Sequence, residues 1–274
     1  MDSHSRPDAT LHGYAILALA LCIWGAEVRQ AAIASPPDVD LALVLAADIS
    51  TSMDANEQRL QRNGYIAAFR SSEVIHAIAS GTRGRIAVAY TEWAGPRIQY
   101  LVMPWTIIRD RASAEAFAAA LALAPLRHEA GTSISGGLEY AGTLFNQVDY
   151  DAYRLSVDVS GDGPNNTGYP VTMMRDWLIR RGEAINGRPI TINGLPIMLR
   201  PEGDTANLDT YYEDCVIGGP GAFIVTVKDA GAFETAIKRK LVLEIAGLPA
   251  RPMLVATPLR SPRADCLMGE KSGR

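Results

Sequence analysis

Hydrophobic and polar positions along this chain switch repeatedly between two periods. Val39 to Ala47 is an almost unbroken apolar run, the pattern of a strand covered on both faces. After it, Leu60, Gly64, Ala67, Ser71, Ile75 and Ile78 recur at helical spacing, which predicts one amphipathic helix from Asp54 to Ser80, ending near Gly81. RIAVAYTEW (Arg85 to Trp93) and IQYLVMPW (Ile98 to Trp105) read as strands joined across Gly95 and Pro96, a connection short enough to require an antiparallel pair. Ser113 to Leu123 and Ile134 to Gln147 read as helices, Arg154 to Ser160 as a strand, Val171 to Arg181 as a helix and Ile190 to Leu199 as a strand. A short helical stretch, Leu208 to Asp214, precedes a last strand, Ala222 to Val227, and a last helix, Ala230 to Ile245. Strand-then-helix order predicts an α/β fold: a doubly wound, mostly parallel six-stranded sheet with one antiparallel edge strand and helices on both faces.

The ends of the chain differ from this middle. Tyr14 to Trp24 (YAILALALCIW) has the length of a signal-peptide apolar region and is too short to span a bilayer. With small residues at Ala32 and Ala34, residues 1–34 read as a signal peptide, residues 35–247 as one folded domain and residues 248–274 as a proline-punctuated tail. Export to the periplasm or the medium, with no membrane span in the mature chain, is the expectation. Removal of the signal leaves Cys215 and Cys266, and two cysteines in an oxidising compartment point to one bridge tying the tail to the domain, with two free thiols as the alternative. Lys and Arg total 26 against 30 Asp and Glu, a net charge of −4 in 274 residues, which offers no large positive field for nucleic acid.

In open parallel sheets ligands sit beyond the carboxyl ends of the strands, where strand order reverses. There the first strand ends in D-I-S-T-S, placing Asp48, Ser50 and Ser52 in alternation, so that one carboxylate and two hydroxyls can face a common point. Such oxygens suit a hard cation, Mg²⁺ or Mn²⁺. Three are too few for an octahedral ion, and Thr132 in AGTSISGG and Asp162 in VSGDGPNN are the further oxygens offered by other strand-end loops, with Asp158 as a weaker rival to Asp162. The competing reading is structural: Asp48 and Thr132 as helix caps and Asp162 as a turn residue before Gly163 and Pro164.

Asp48, Ser50, Ser52, Thr132 and Asp162, in this order along this series of elements, resemble the metal-ion-dependent adhesion site of von Willebrand factor type A, or integrin I-like, domains. The resemblance covers about Val39 to Gly247, and TSISGGLEYA, VSGDGPNN, TINGLPI, YYEDCVIGGPGAF and KRKLVLEIAG resemble an uncharacterised group of exported bacterial members. It implies a divalent cation held by those five side chains, with a coordination position open to a carboxylate of a protein partner. Residues placed to read that partner are Trp93 and Glu92, Arg127 and His128, and Asn165, Asn166 and Tyr169. In some members the Thr contact also shifts with the last helix.

Enzymatic signatures are sparse. The chain has four His, two of them in the signal region, and it lacks a G-x-S-x-G elbow, a zinc-protease helix, a P-loop and a strand-linked G-x-G-x-x-G. The expectation is therefore a binding module rather than an enzyme. Two alternatives accompany it: a metal-assisted phosphohydrolase with Asp48 as nucleophile, weakened by Ser50 where a second acid is needed and by no evident cation near Asp162, and a structural member whose metal only stabilises loops.

Overall fold

Strand β1 (Val39–Asp48) is the centre of a five-stranded sheet of order β3-β2-β1-β4-β5. The computed structural model describes residues 38–147, 150–200, 205–247 and 263–272, so the expected signal segment and Cys22 lie outside the described residues. β2 (Ile86–Trp93) and β4 (Ala152–Gly161) flank β1 in parallel, β5 (Thr191–Pro196) continues in parallel beyond β4, and β3 (Gln99–Ile108) closes the other edge antiparallel to β2.

Because β1 is apolar on both sides, it separates two cores. Leu41, Leu43, Leu45 and Ala47 face one layer, built from α1 (Ala55–Arg70), α2 (Ser72–Ala79), α3 (Arg111–Leu123) and α7 (Phe233–Ala246). Ala42, Val44 and Ala46 face the other, built from α4 (Ile134–Leu144), α5 (Val171–Asn186) and α6 (Leu208–Tyr211), which runs on into a π-helical turn, Tyr212–Val216. The tail returns as a short helix, α8 (Met268–Ser272), with Ala264, Cys266 and Met268 packed on this second core. Cys215 and Cys266 form a disulfide with a Cα–Cα distance of 5.4 Å. Among the described residues no helix is long and apolar enough to cross a membrane.

Two expectations need correction. The predicted long helix is two helices: the backbone turns extended at Ser71, whose hydroxyl accepts from Val74 N and starts α2 afresh. The predicted sixth strand, Ala222 to Val227, does run parallel to β5 but is reduced to two isolated bridges, Gly194 with Ile224 and Ile197 with Val227. Pro196 lies between them, and having no N–H it cannot make the hydrogen bond that would join the bridges into one ladder.

Candidate functional site

β1 lies where strand order reverses, so the chain leaves β1 and β4 in different directions and a crevice opens at their carboxyl ends. The loop after β1 enters it with Asp48 fully buried, Ser50 buried and Ser52 exposed. Asp48 Oδ1 accepts from Ser50 N at 2.7 Å, a turn that aligns the next two hydroxyls. Ser50 Oγ and Ser52 Oγ are 2.9 Å apart, and Ser52 Oγ donates to Asp162 Oδ1 at 2.6 Å, joining the loop after β1 to the loop after β4. Thr132, buried and just before α4, lines with Ser52 and Asp162 a cavity of about 270 Å³, whose wall also includes Glu57, Gly163, Asn166 and Arg200. The five residues predicted to share a cation are therefore gathered at one crevice.

Capping does not account for them. Asp54 caps α1, accepting from Asn56 N and Glu57 N in a reciprocal box with Glu57, so the D-x-S-x-S residues are not needed there. Ser133, not Thr132, caps α4 by accepting from Gly136 N. Asp158 faces α7, where its Oδ1 lies 2.6 Å from Lys240 Nζ, which removes it as a rival to Asp162.

The electrostatics favour positive charge at this point. Asp48 Oδ2 is buried with no hydrogen-bond partner, an arrangement that is costly for a carboxylate. Burial, followed by repulsion from Asp162, pushes the Asp48 carboxyl up to about 8. Burial also raises Asp162, with Glu57 adding to the effect and the Ser52 hydrogen bond opposing it. A proton or a cation relieves such a pair. Among the described residues no group of three or more His, Cys, Asp or Glu could hold a metal, so a cation here would depend on hydroxyls as much as on carboxylates, a donor set that suits a hard ion and not a soft one.

The residues expected to read a partner divide. Trp93 is fully buried and its indole N–H donates to Ala46 O at 3.0 Å, so it belongs to the core and offers nothing to a partner. Glu92 is likewise buried, paired with Arg62 and with Arg127 at 3.4 Å. Asn165 is also corrected: it is fully buried, accepting from Ser135 N and donating to Tyr169 O and Glu270 Oε1. Arg127 stacks 4.5 Å over Tyr100, and exposed His128 donates through Nε2 to Met53 O at 2.9 Å. Exposed Asn166 closes the rim by bonding Thr132 twice, at Thr132 N and Thr132 O. Tyr169 is 55% exposed and remains available.

Glu57 and Arg200 were missed. Arg200 pairs with Glu57 and lies 3.4 Å from Asp54, and it brings into the cavity the cation that sequence placed nowhere near Asp162. Its only sequence signal is its position after β5, at the same end of the sheet.

The family described as "Protein of unknown function (DUF1194)" matches residues 38–249. No curated protein matches the chain. Among solved structures, the von Willebrand factor domain of the type V pili tip protein Mfa5 from Porphyromonas gingivalis superposes with a TM-score of 0.51 at 12% identity, covering 80% of this chain and 99% of that one. Proximal thread matrix protein 1 of the mussel byssus, whose structure has a zinc-occupied MIDAS motif, gives 0.51 at 14% identity over 77% of this chain and 49% of its own. The pilus adhesin SpaC from Lactobacillus rhamnosus GG gives 0.51 at 13% identity over 76% of this chain and 31% of its own. The chain thus spans about half of the mussel protein and under a third of the adhesin, and at these identities the likeness establishes the fold, that of von Willebrand factor type A domains.

Proposed function

The chain belongs to the family described as "Protein of unknown function (DUF1194)", with a von Willebrand factor type A fold, and on that premise we propose that it is an exported module that holds a divalent cation and uses it to bind an acidic group of a protein partner. The observation that carries this reading is Asp48 Oδ2, a buried carboxylate oxygen with no partner, beside the hydrogen-bonded set of Ser50, Ser52 and Asp162. Asp48, Ser50, Ser52, Thr132 and Asp162 would hold the ion, with Mg²⁺ or Mn²⁺ preferred by the all-oxygen set. Two carboxylates balance its charge while the hydroxyls leave it electrophilic, and the bound ion would supply a site for an incoming carboxylate. Asn166 lines the cavity, and with Arg127, His128 and Tyr169 on neighbouring loops it would select among carboxylate-bearing surfaces. The names of the pilus proteins sharing the fold support an adhesive use. The Cys215–Cys266 bridge supports export, because disulfides persist in oxidising compartments.

A thermal-melt series with Mg²⁺, Mn²⁺ and Ca²⁺ tests the cation. Wild type at a hundredfold excess over Kd gains about 2.7 kcal/mol, and Asp48→Ala gains nothing. No shift in wild type with any of the three ions overturns the reading. Capture of a carboxylate-bearing partner that survives chelator instead assigns the ion to loop stabilisation alone. Arg200 in the same cavity keeps a phosphohydrolase as a second reading, since it could bind a phosphate beside Asp48. Turnover of an aryl phosphate that is lost in both Asp48→Asn and Arg200→Ala would establish it.

A further inference from the structure

The tail returns to the candidate site by way of Asn165. Residues 263–272 are held at one end by the Cys215–Cys266 disulfide and by Asp214, which accepts from Arg263 N and Ala264 N. At the other end α8 lies on the loop that follows Asp162. Glu270 Oε1 accepts from Asn165 Nδ2 at 2.9 Å, and Gly269 packs so closely that a Cβ there would lie 2.3 Å from Asn165 O. Asn165 carries this contact inward: its Oδ1 accepts from Ser135 N at 2.9 Å in the first turn of α4, and its N–H donates to Tyr211 Oη at 3.2 Å. The next residue, Asn166, bonds Thr132 at both N and O. One buried asparagine thus joins the tail to the loops that bear Asp162 and Thr132, and a buried amide with every polar atom engaged fixes position well.

We propose that residues 263–272 act as a strap, with Glu270 and Asn165 as positioning residues that hold the Asp162 and Thr132 loops in register, so that loosening the strap weakens the site without unfolding the domain. The strap contributes no oxygen to the site. It acts by keeping two loops from fluctuating apart, which is where preorganisation is lost when supporting contacts go. The consequence for a cation rests on the proposed function; the consequence for the loops does not.

The test compares the full-length oxidised protein with Glu270→Ala, Glu270→Gln and Cys266→Ser, reading amide hydrogen exchange and Mn²⁺ titration. Exchange at residues 163–169 should quicken at least tenfold in Glu270→Ala while β1 and α1 keep their rates, and in Cys266→Ser, where loss of the bridge also lowers global stability, it should quicken beyond the change seen in β1 and α1. Glu270→Gln retains an oxygen for Asn165 and should restore the wild-type rate. Mn²⁺ affinity should fall fivefold or more in the first two variants and recover in the third. Wild-type exchange in both Glu270→Ala and Cys266→Ser overturns the strap, as does faster exchange with unchanged Mn²⁺ affinity. A wild type that binds no Mn²⁺ removes the cation reading alone, and the exchange rates then decide the strap by themselves.

Discussion

Gly161 shows how closely the crevice is built. A Cβ at this position would lie 2.8 Å from Asp48 Oδ2, 3.0 Å from Tyr212 Oη and 3.2 Å from the Trp93 ring, so only a residue without a side chain lets β4 pass the buried carboxylate. Overpacking of this kind typically costs about 1–3 kcal/mol, and here it falls on the group proposed to hold the ion. Gly161→Ala should therefore weaken Mn²⁺ binding about tenfold in a titration while the fold persists by circular dichroism, since tenfold corresponds to about 1.4 kcal/mol. At this scale the site was legible where alternation decides direction, as in Asp48, Ser50 and Ser52. It was not legible at Trp93 or Asn165, because a strand-end or loop address does not say whether a side chain turns inward; the partners Ala46 O and Glu270 that draw them in are distant in sequence.

Elements follow the apolar periods, and their interruptions follow single residues. The apolar face continues across Ser71 because α1 and α2 both pack on α7, so periodicity alone gives no sign of the break. Pro196 is visible in the sequence, but its effect on the strand beyond β5 depends on a register that only the sheet reveals. The α5–β5 connection makes a stricter demand. A Cβ on Gly182 would lie 2.5 Å from both Arg188 O and Ile190 N, backbone atoms that cannot rotate away. Although alanine favours a helix, Gly182→Ala should destabilise the domain by about 1–3 kcal/mol, measured as a lower urea midpoint with unchanged slope.

Across the whole molecule, α7 is fastened to the sheet by charge as well as by apolar packing. Lys240 Nζ lies 2.6 Å from Asp158 Oδ1 and 2.7 Å from Glu244 Oε1, all three residues buried, with Asn193 donating to Glu244 and Tyr65 to Asp158. Two acids share one base, and burial, then Asp158, pushes the Glu244 carboxyl up to about 7. The folded protein thus keeps a proton that the unfolded chain has released above its ordinary carboxylate range. The stability this contributes is complete below that range and is lost as pH rises through about 7. Melting temperature should decline between pH 5 and 8 in wild type, and Glu244→Gln should make that decline shallower, leaving the share that Asp48 contributes. The disulfide acts at the same scale: closing a sequence separation of 51 residues contributes about 4 kcal/mol in the chain-entropy model, so reduction should lower the denaturant midpoint by a corresponding amount. The doubly wound sheet was legible because β1 is apolar on both faces and crossover chirality leaves few arrangements. The salt-bridged seam was not, since Lys240 and Glu244 read as ordinary surface charges until Asp158 is placed opposite them.

The Ser52 to Asp162 hydrogen bond unites residues 110 positions apart. On the proposed reading, an arriving cation exchanges this contact for its own and need not gather a floppy rim. Calorimetry should then record little change in heat capacity on loading, and association should be limited by shedding water from the ion.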